Sequence, residues 1–278
     1  MQPLPLGSAE RLFTSLHRRM MDTGYAPTPW DALRPEALSD AARERARAAW
    51  SARSVSEYRS MVVFGEVLAR VPEAGLPLEL SSAMSRLIQD EARHTELCAT
   101  LAERLGGNDG ALDPRDLRLR DDTLPARLFV ARWTVSMFCV GETASVGLLG
   151  ELVHGTTDPC ARHVCATLLR DERLHDRFGW ALARTLLPRL TDDEREWLGA
   201  ELAFSLRYYE QQDADALRPD GALLPAVPDA PPNAGVVSRE AFARGFYTRL
   251  DRVILPSLAA LGVPAYEAWA LRHEAPAE

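Results

Sequence analysis

Two short segments of this chain carry the same arrangement of acid and imidazole, Asp90-Glu91-Ala92-Arg93-His94 and Asp171-Glu172-Arg173-Leu174-His175. In each, glutamate and histidine are three residues apart, and on a helix turning about 100° per residue that spacing puts both side chains on one face. A lone glutamate precedes each segment in apolar surroundings: Glu66 follows Met61-Val62-Val63-Phe64-Gly65, and Glu142 follows Ser136-Met137-Phe138-Cys139-Val140-Gly141. The chain therefore writes Glu, then Glu-x-x-His, twice. A single Glu-x-x-His is an ordinary solvated pair; two copies with apolar-embedded glutamates ahead of them are not. Four buried carboxylates repel one another, and two divalent cations cancel their charge. Glu66, Glu91, His94, Glu142, Glu172 and His175 are the expected ligands of a dimetal site in a helical bundle core, where two helices each give a glutamate and two others each give Glu-x-x-His.

The elements needed to position these groups are helices. Residues 8–21 read as a short amphipathic helix with Leu12, Phe13, Leu16 and Met20 on one side. Ser39 is an N-cap for a helix of about 30 residues that stops before Pro72 and carries Glu66. The turn Pro72-Glu73-Ala74-Gly75-Leu76-Pro77 reverses the chain into a second helix, which runs to Gly106-Gly107 and carries Glu91 and His94. A polar crossover over 107–121 leads to a helix starting near Thr123 and Pro125, which bears Glu142. Asp158-Pro159 opens the helix of Glu172 and His175. The sequence thus predicts two hairpins. Thr191-Asp192-Asp193-Glu194 is a capping box for a fifth helix to about residue 214, and Ser238 caps a further one interrupted by Pro256. A last short helix spans 264–272. The fold class is all-α: an N-terminal helix and loop over 1–38, a four-helix bundle over 39–187, and a helical extension over 188–278 with a Pro-rich loop at 218–236.

Composition narrows the chemistry. The chain has 278 residues, 46% hydrophobic, with a net charge of −8. It contains no lysine, which excludes a Schiff-base lysine and a P-loop lysine. Its acidic balance argues against a nucleic-acid partner. No apolar run reaches the roughly 18 residues of a membrane span and the N-terminus lacks a signal core, so the sequence reads as cytoplasmic and without a membrane partner. Cys98, Cys139, Cys160 and Cys165 form no C-x-x-C pair and read as reduced.

The six ligand residues resemble those of the ferritin-like diiron-carboxylate proteins, a superfamily that includes hydrocarbon monooxygenases, acyl-carrier desaturases, aldehyde-deformylating oxygenases and N-oxygenases. The likeness covers roughly residues 40–185. Asp90-Glu91-Ala92-Arg93-His94 resembles the Asp-Glu-x-Arg-His box of the monooxygenases and desaturases, which implies that Asp90, and by analogy Asp171, orients a ligand histidine, with Arg93 beside it. Each aspartate lies four residues before a histidine, on the same helical face. Cys98 stands where the ribonucleotide reductase small subunit keeps its radical tyrosine, Leu168 where one N-oxygenase type adds a histidine, and Val146 where hydrocarbon monooxygenases carry threonine.

Carboxylate and imidazole ligands suit iron, with manganese or a mixed manganese–iron pair as alternatives. The expected activity is oxidation of a largely apolar small molecule by O₂, with an external electron donor and a monomeric or homodimeric chain. Cys98, Phe138, Cys139, Val146 and Leu149 would line the substrate pocket, and Arg59 and Arg70 could reach a substrate carboxylate. A ferroxidase or iron-handling protein and a dimanganese catalase-like enzyme are the alternative readings.

Overall fold

Ser39 opens the first long helix as its side chain predicts: the backbone N–H of Ala42 donates to Ser39 Oγ at 3.2 Å. The structure, a computed structural model, describes residues 1–7, 10–117, 123–213 and 232–274. Its elements are almost all helical. They are α1 (Arg11–Asp22), α2 (Asp40–Arg70), α3 (Leu78–Leu105), α4 (Ala126–Gly155), α5 (Pro159–Leu186), α6 (Asp192–Asp213), α7 (239–260) and α8 (Ala265–Leu271). Gln2–Pro3 and Ala111–Leu112 form a two-residue antiparallel ribbon.

The other starts and stops are equally local. Gly106 ends α3 at φ 137°, a backbone region that side chains avoid. Ala161 N–H donates to Asp158 Oδ1 at 2.9 Å, with Pro159 at the first helical position. At α6, Thr191 N–H donates to Glu194 Oε2 and Glu194 N–H to Thr191 Oγ1, at 2.8 and 3.3 Å. Pro256 does not interrupt α7 as expected. The turn just before it, Leu250–Ile254, widens to a π-helix, which relieves the clash of the proline ring with the preceding turn.

Helix α4 holds a second π stretch, Thr134–Glu142, ending on the glutamate of interest. Contrary to the sequence expectation, α4 is long and apolar enough by composition to cross a membrane, but 61% of its most apolar window is buried inside the protein. A core helix satisfies the same test.

The described residues cluster into two units. The first draws on Met1–Thr123, Gly155–Cys165 and Ala230–Val236; the second on Leu124–His154, Ala166–Asp229 and Val237–Glu278. In the first, α2 and α3 pair as an antiparallel hairpin around Trp50, Phe64, Met84, Leu87 and Leu101, all buried. Trp50 Nε1 donates to the carbonyl of Ala234 at 2.7 Å, so the end of the expected 218–236 loop is packed; residues 218–231 of that loop lie outside the described residues. In the second unit, α4 packs antiparallel on α5, with Phe138 against Gly179 and Thr143 against Asp176. Helices α6 to α8 are pinned by the buried Glu210, which accepts from Tyr247 Oη at 2.9 Å and from Arg272 Nε at 2.6 Å.

Candidate metal centre

In the first unit, α2 and α3 bring three ligand-type groups together. Glu57 Oε2 and Glu91 Oε2 lie 3.5 and 3.9 Å from His94 Nδ1, and one ligand atom from each of the three residues falls within 4.8 Å of the others. Glu91 and His94 are buried, and the Glu57 side chain is 13% exposed. Glu66, the glutamate expected here, is exposed. The physical reason is rotation: nine residues of helix amount to two and a half turns, so Glu57 and Glu66 point in opposite directions. The apolar residues ahead of Glu66 suggested burial, but Phe64 and Val67 take the buried side of that turn.

The second unit holds a triad of the same kind. Glu142 Oε2 and Glu172 Oε2 lie 3.7 and 3.5 Å from His175 Nδ1, again within 4.8 Å as a group, and all three residues are buried.

The two triads share one construction. Glu57 stands thirteen residues before the end of α2 at Arg70, and Glu91 thirteen after the start of α3 at Leu78. Glu142 stands thirteen before Gly155 at the end of α4, and Glu172 thirteen after Pro159 at the start of α5. At about 1.5 Å per residue each glutamate sits roughly 20 Å from its hairpin turn, so the two of a pair meet at one level. The loops account for the unequal sequence separations, seven residues (71–77) in one hairpin and three (156–158) in the other.

Around these groups the neighbours are tightly held. Asp90, fully buried, accepts on Oδ1 from Arg93 Nη1 at 2.5 Å, Arg86 Nη1 at 2.8 Å and Tyr25 Oη at 3.1 Å. Arg93 also donates to the carbonyls of Met20 and Met21 and lies over the Tyr25 ring, so this expected helper of the histidine ties the end of α1 to α3. Asp171 is buried and accepts from Arg170 Nε at 3.2 Å.

In the second unit the residues following two of the ligand-type groups form a network that sequence reasoning missed. Thr143 Oγ1 donates to Asp176 Oδ1 at 2.6 Å, and Trp180 Nε1 donates to both at 3.0–3.1 Å. Only the register of two helices reveals it. Tyr209 of α6 presses its hydroxyl against Gly141, so close that a Cβ there would fall 2.5 Å from the oxygen. Glycine therefore lets α6 buttress the π stretch beside Glu142.

The proposed pocket residues Cys98, Phe138, Cys139, Val146 and Leu149 are all buried. Phe138 stacks edge-on against Phe178 at 5.4 Å, and Cys139 Sγ approaches the carbonyl of Gly179 at 3.8 Å, so both pack on α5. Burial pushes the Cys98 and Cys139 thiols well above their ordinary range. Chemically, each triad offers two carboxylates and an imidazole in a dry setting, a donor set that fits a hard or borderline divalent cation. Comparison with family models, curated proteins and solved structures finds no match to this chain.

Proposed function

We propose that this protein is a diiron-carboxylate oxidoreductase of the ferritin-like four-helix class that activates O₂ to oxidise a largely apolar small molecule, each triad supplying ligands for an iron ion. The observation that carries this reading is the doubling of Glu plus Glu-x-x-His with the same thirteen-residue offsets on α2, α3, α4 and α5. Helix packing alone requires neither the repeat nor buried acids at equal depth.

Two ferrous ions bound there would supply two electrons to O₂. The chain's own residues supply the rest. Glu57, Glu91, Glu142 and Glu172 would balance the metal charge, and His94 and His175 would complete the ligand set through ring nitrogens. Phe138, Val146 and Leu149, buried on the helix of Glu142, would make the apolar side of the site. The Thr143–Asp176–Trp180 network fixes the helical register next to Glu142 and His175.

The test is anaerobic addition of Fe(II) to metal-free protein, followed by metal analysis and by O₂ consumption. Two irons per chain and reoxidation by O₂ are expected. A chain that takes up no Fe(II) overturns the reading. A large closed cage on a sizing column would favour iron storage, and preferential manganese uptake with oxygen release from H₂O₂ would favour a catalase-like enzyme.

A further inference from the structure

The first unit contains a half-buried cation, one nitrogen of it sealed from solvent, that the metal reading does not use. Arg53 lies on α2 four residues before Glu57, on nearly the same helical face. Its guanidinium stands 4.4 Å over the Trp50 ring, and Trp50 is itself fully buried and held through Nε1 by the Ala234 carbonyl. The side chain as a whole is half-buried, but Arg53 Nη1 is sealed from solvent and has no hydrogen-bond partner among the described residues. Elsewhere on α2, Arg43 pairs with Asp40, Arg47 with Glu44 and Asp109, and Arg70 with Glu73. Arg53 makes no such ion pair among the described residues. Its charge reaches inward: it opposes the burial and the Glu57 charge that raise the thiol of Cys98, one turn beyond His94, and the burial that raises the thiol of Cys165.

A guanidinium edge removed from water without an acceptor costs free energy, and packing alone gives no reason for it. No acceptor among the described residues meets Arg53 Nη1, and an anion would supply one. Arginine presents a planar fork matched to a carboxylate, and the ring beneath it fixes the plane of that fork. The rise from Arg53 to Glu57 is about 6 Å, one helical turn, so an anion held by Arg53 sits close to the first triad.

We infer that Arg53 is the anchor for a carboxylate on the substrate, which makes the substrate an apolar carboxylic acid rather than a neutral hydrocarbon. The substrate role rests on the diiron reading, and the preference for an acid rests on Arg53 alone. Arg70, considered from sequence for the same task, is occupied by Glu73 at 3.2 Å.

The experiment is calorimetric titration of the full metal-free chain with hexanoate and decanoate, each compared with the alcohol of the same length. The natural protein is expected to bind at least one acid tenfold or more tighter than its alcohol. Arg53→Gln is expected to erase that difference while alcohol binding stays unchanged. Arg53→Lys keeps the charge but not the fork, so it retains a reduced preference and serves as the deciding variant if the glutamine protein does not fold. Equal affinity for acids and alcohols, or an acid preference undiminished in both variants, overturns the inference.

Thermal stability separates anchoring from scaffolding. An anchor leaves the melting temperature of Arg53→Gln unchanged or raised, whereas a structural cation lowers it. Iron uptake, measured apart, keeps the two conclusions independent. Acid selectivity without iron binding removes the diiron reading alone, and two irons per chain without acid selectivity removes the Arg53 anchor alone.

Discussion

Glu57 Oε2 stands 3.5 Å from His94 Nδ1 across the α2–α3 hairpin, and that contact settles which face of α2 looks toward the histidine. Glu66, half a turn round the same helix, looks away. The expected consequence is an unequal pair of variants. Glu57→Gln should lower Fe(II) affinity tenfold or more and reduce the irons bound per chain. Glu66→Gln should leave iron uptake unchanged and shift stability by no more than about 0.5 kcal/mol, as for other surface substitutions. Metal analysis and urea denaturation of both proteins check this.

The residues that betrayed themselves in the sequence are those whose role is local. Ser39, Asp158 and Thr191 cap helices through backbone groups three positions away, so their neighbours suffice to identify them. The spacing of Glu91 from His94 and of Glu172 from His175 is equally local. Glu57 was hidden because Ser54, Ser56, Tyr58 and Arg59 around it read as a solvated face, while the apolar run before Glu66 read as core. What decides between them is the seven-residue turn from 71 to 77, which sets which levels of α2 and α3 meet. No residue type announces the π stretch at Thr134–Glu142, and the Thr143–Asp176–Trp180 network depends on the register of two helices. Those features belong to tertiary packing, where sequence periodicity has no reach.

Gly141 gives a second prediction. A Cβ there would lie 2.5 Å from Tyr209 Oη and 2.9 Å from Cζ. Gly141→Ala should therefore destabilise the protein by about 1–3 kcal/mol through overpacking. Tyr209→Phe removes the nearest atom and leaves the ring, so the double variant should recover part of that loss. A non-additive double-mutant cycle in urea is the signature, and simple additivity would show that Tyr209 and Gly141 do not share the contact.

A third concerns alkaline pH. Burial, reinforced by the charge of Asp158, pushes the Cys160 thiol up to about 11, against about 8.5 for an unfolded cysteine. The folded state thus holds this proton more firmly than the unfolded state does. Its contribution to stability is complete below about pH 8.5 and is lost as pH rises toward about 11. Urea midpoints should fall over that range in the natural protein, and the fall should be shallower in Cys160→Ala. Identical slopes would show that the thiol does not titrate differently in the two states.

Arg93 holds the end of α1 to α3 within the first unit. Arg93 Nε and Nη2 donate to the carbonyls of Met21 and Met20 at 3.2 and 2.8 Å, its Nη1 to Asp90, and its plane lies 3.6 Å over the Tyr25 ring. Carbonyls in the last turn of a helix lack intrahelical partners and carry the negative end of the dipole, so a cation there secures both the helix and its position. His17 Nε2 also meets Glu96 Oε2 at 3.1 Å at a half-exposed site, while Leu12, Phe13, Leu16 and Met20 are exposed. Arg93→Lys keeps the charge but loses the fork and the stacking, so α1 should become accessible to trypsin at Arg18 and Arg19 while α2 and α3 stay protected. Arg93→Ala should do the same and cost about 3 kcal/mol, near the low end for breaking a buried ion pair, because Arg86 still neutralises Asp90. Limited proteolysis with mass analysis of the cut sites distinguishes this from general unfolding, in which sites in α2 and α3 would be cut at the same rate.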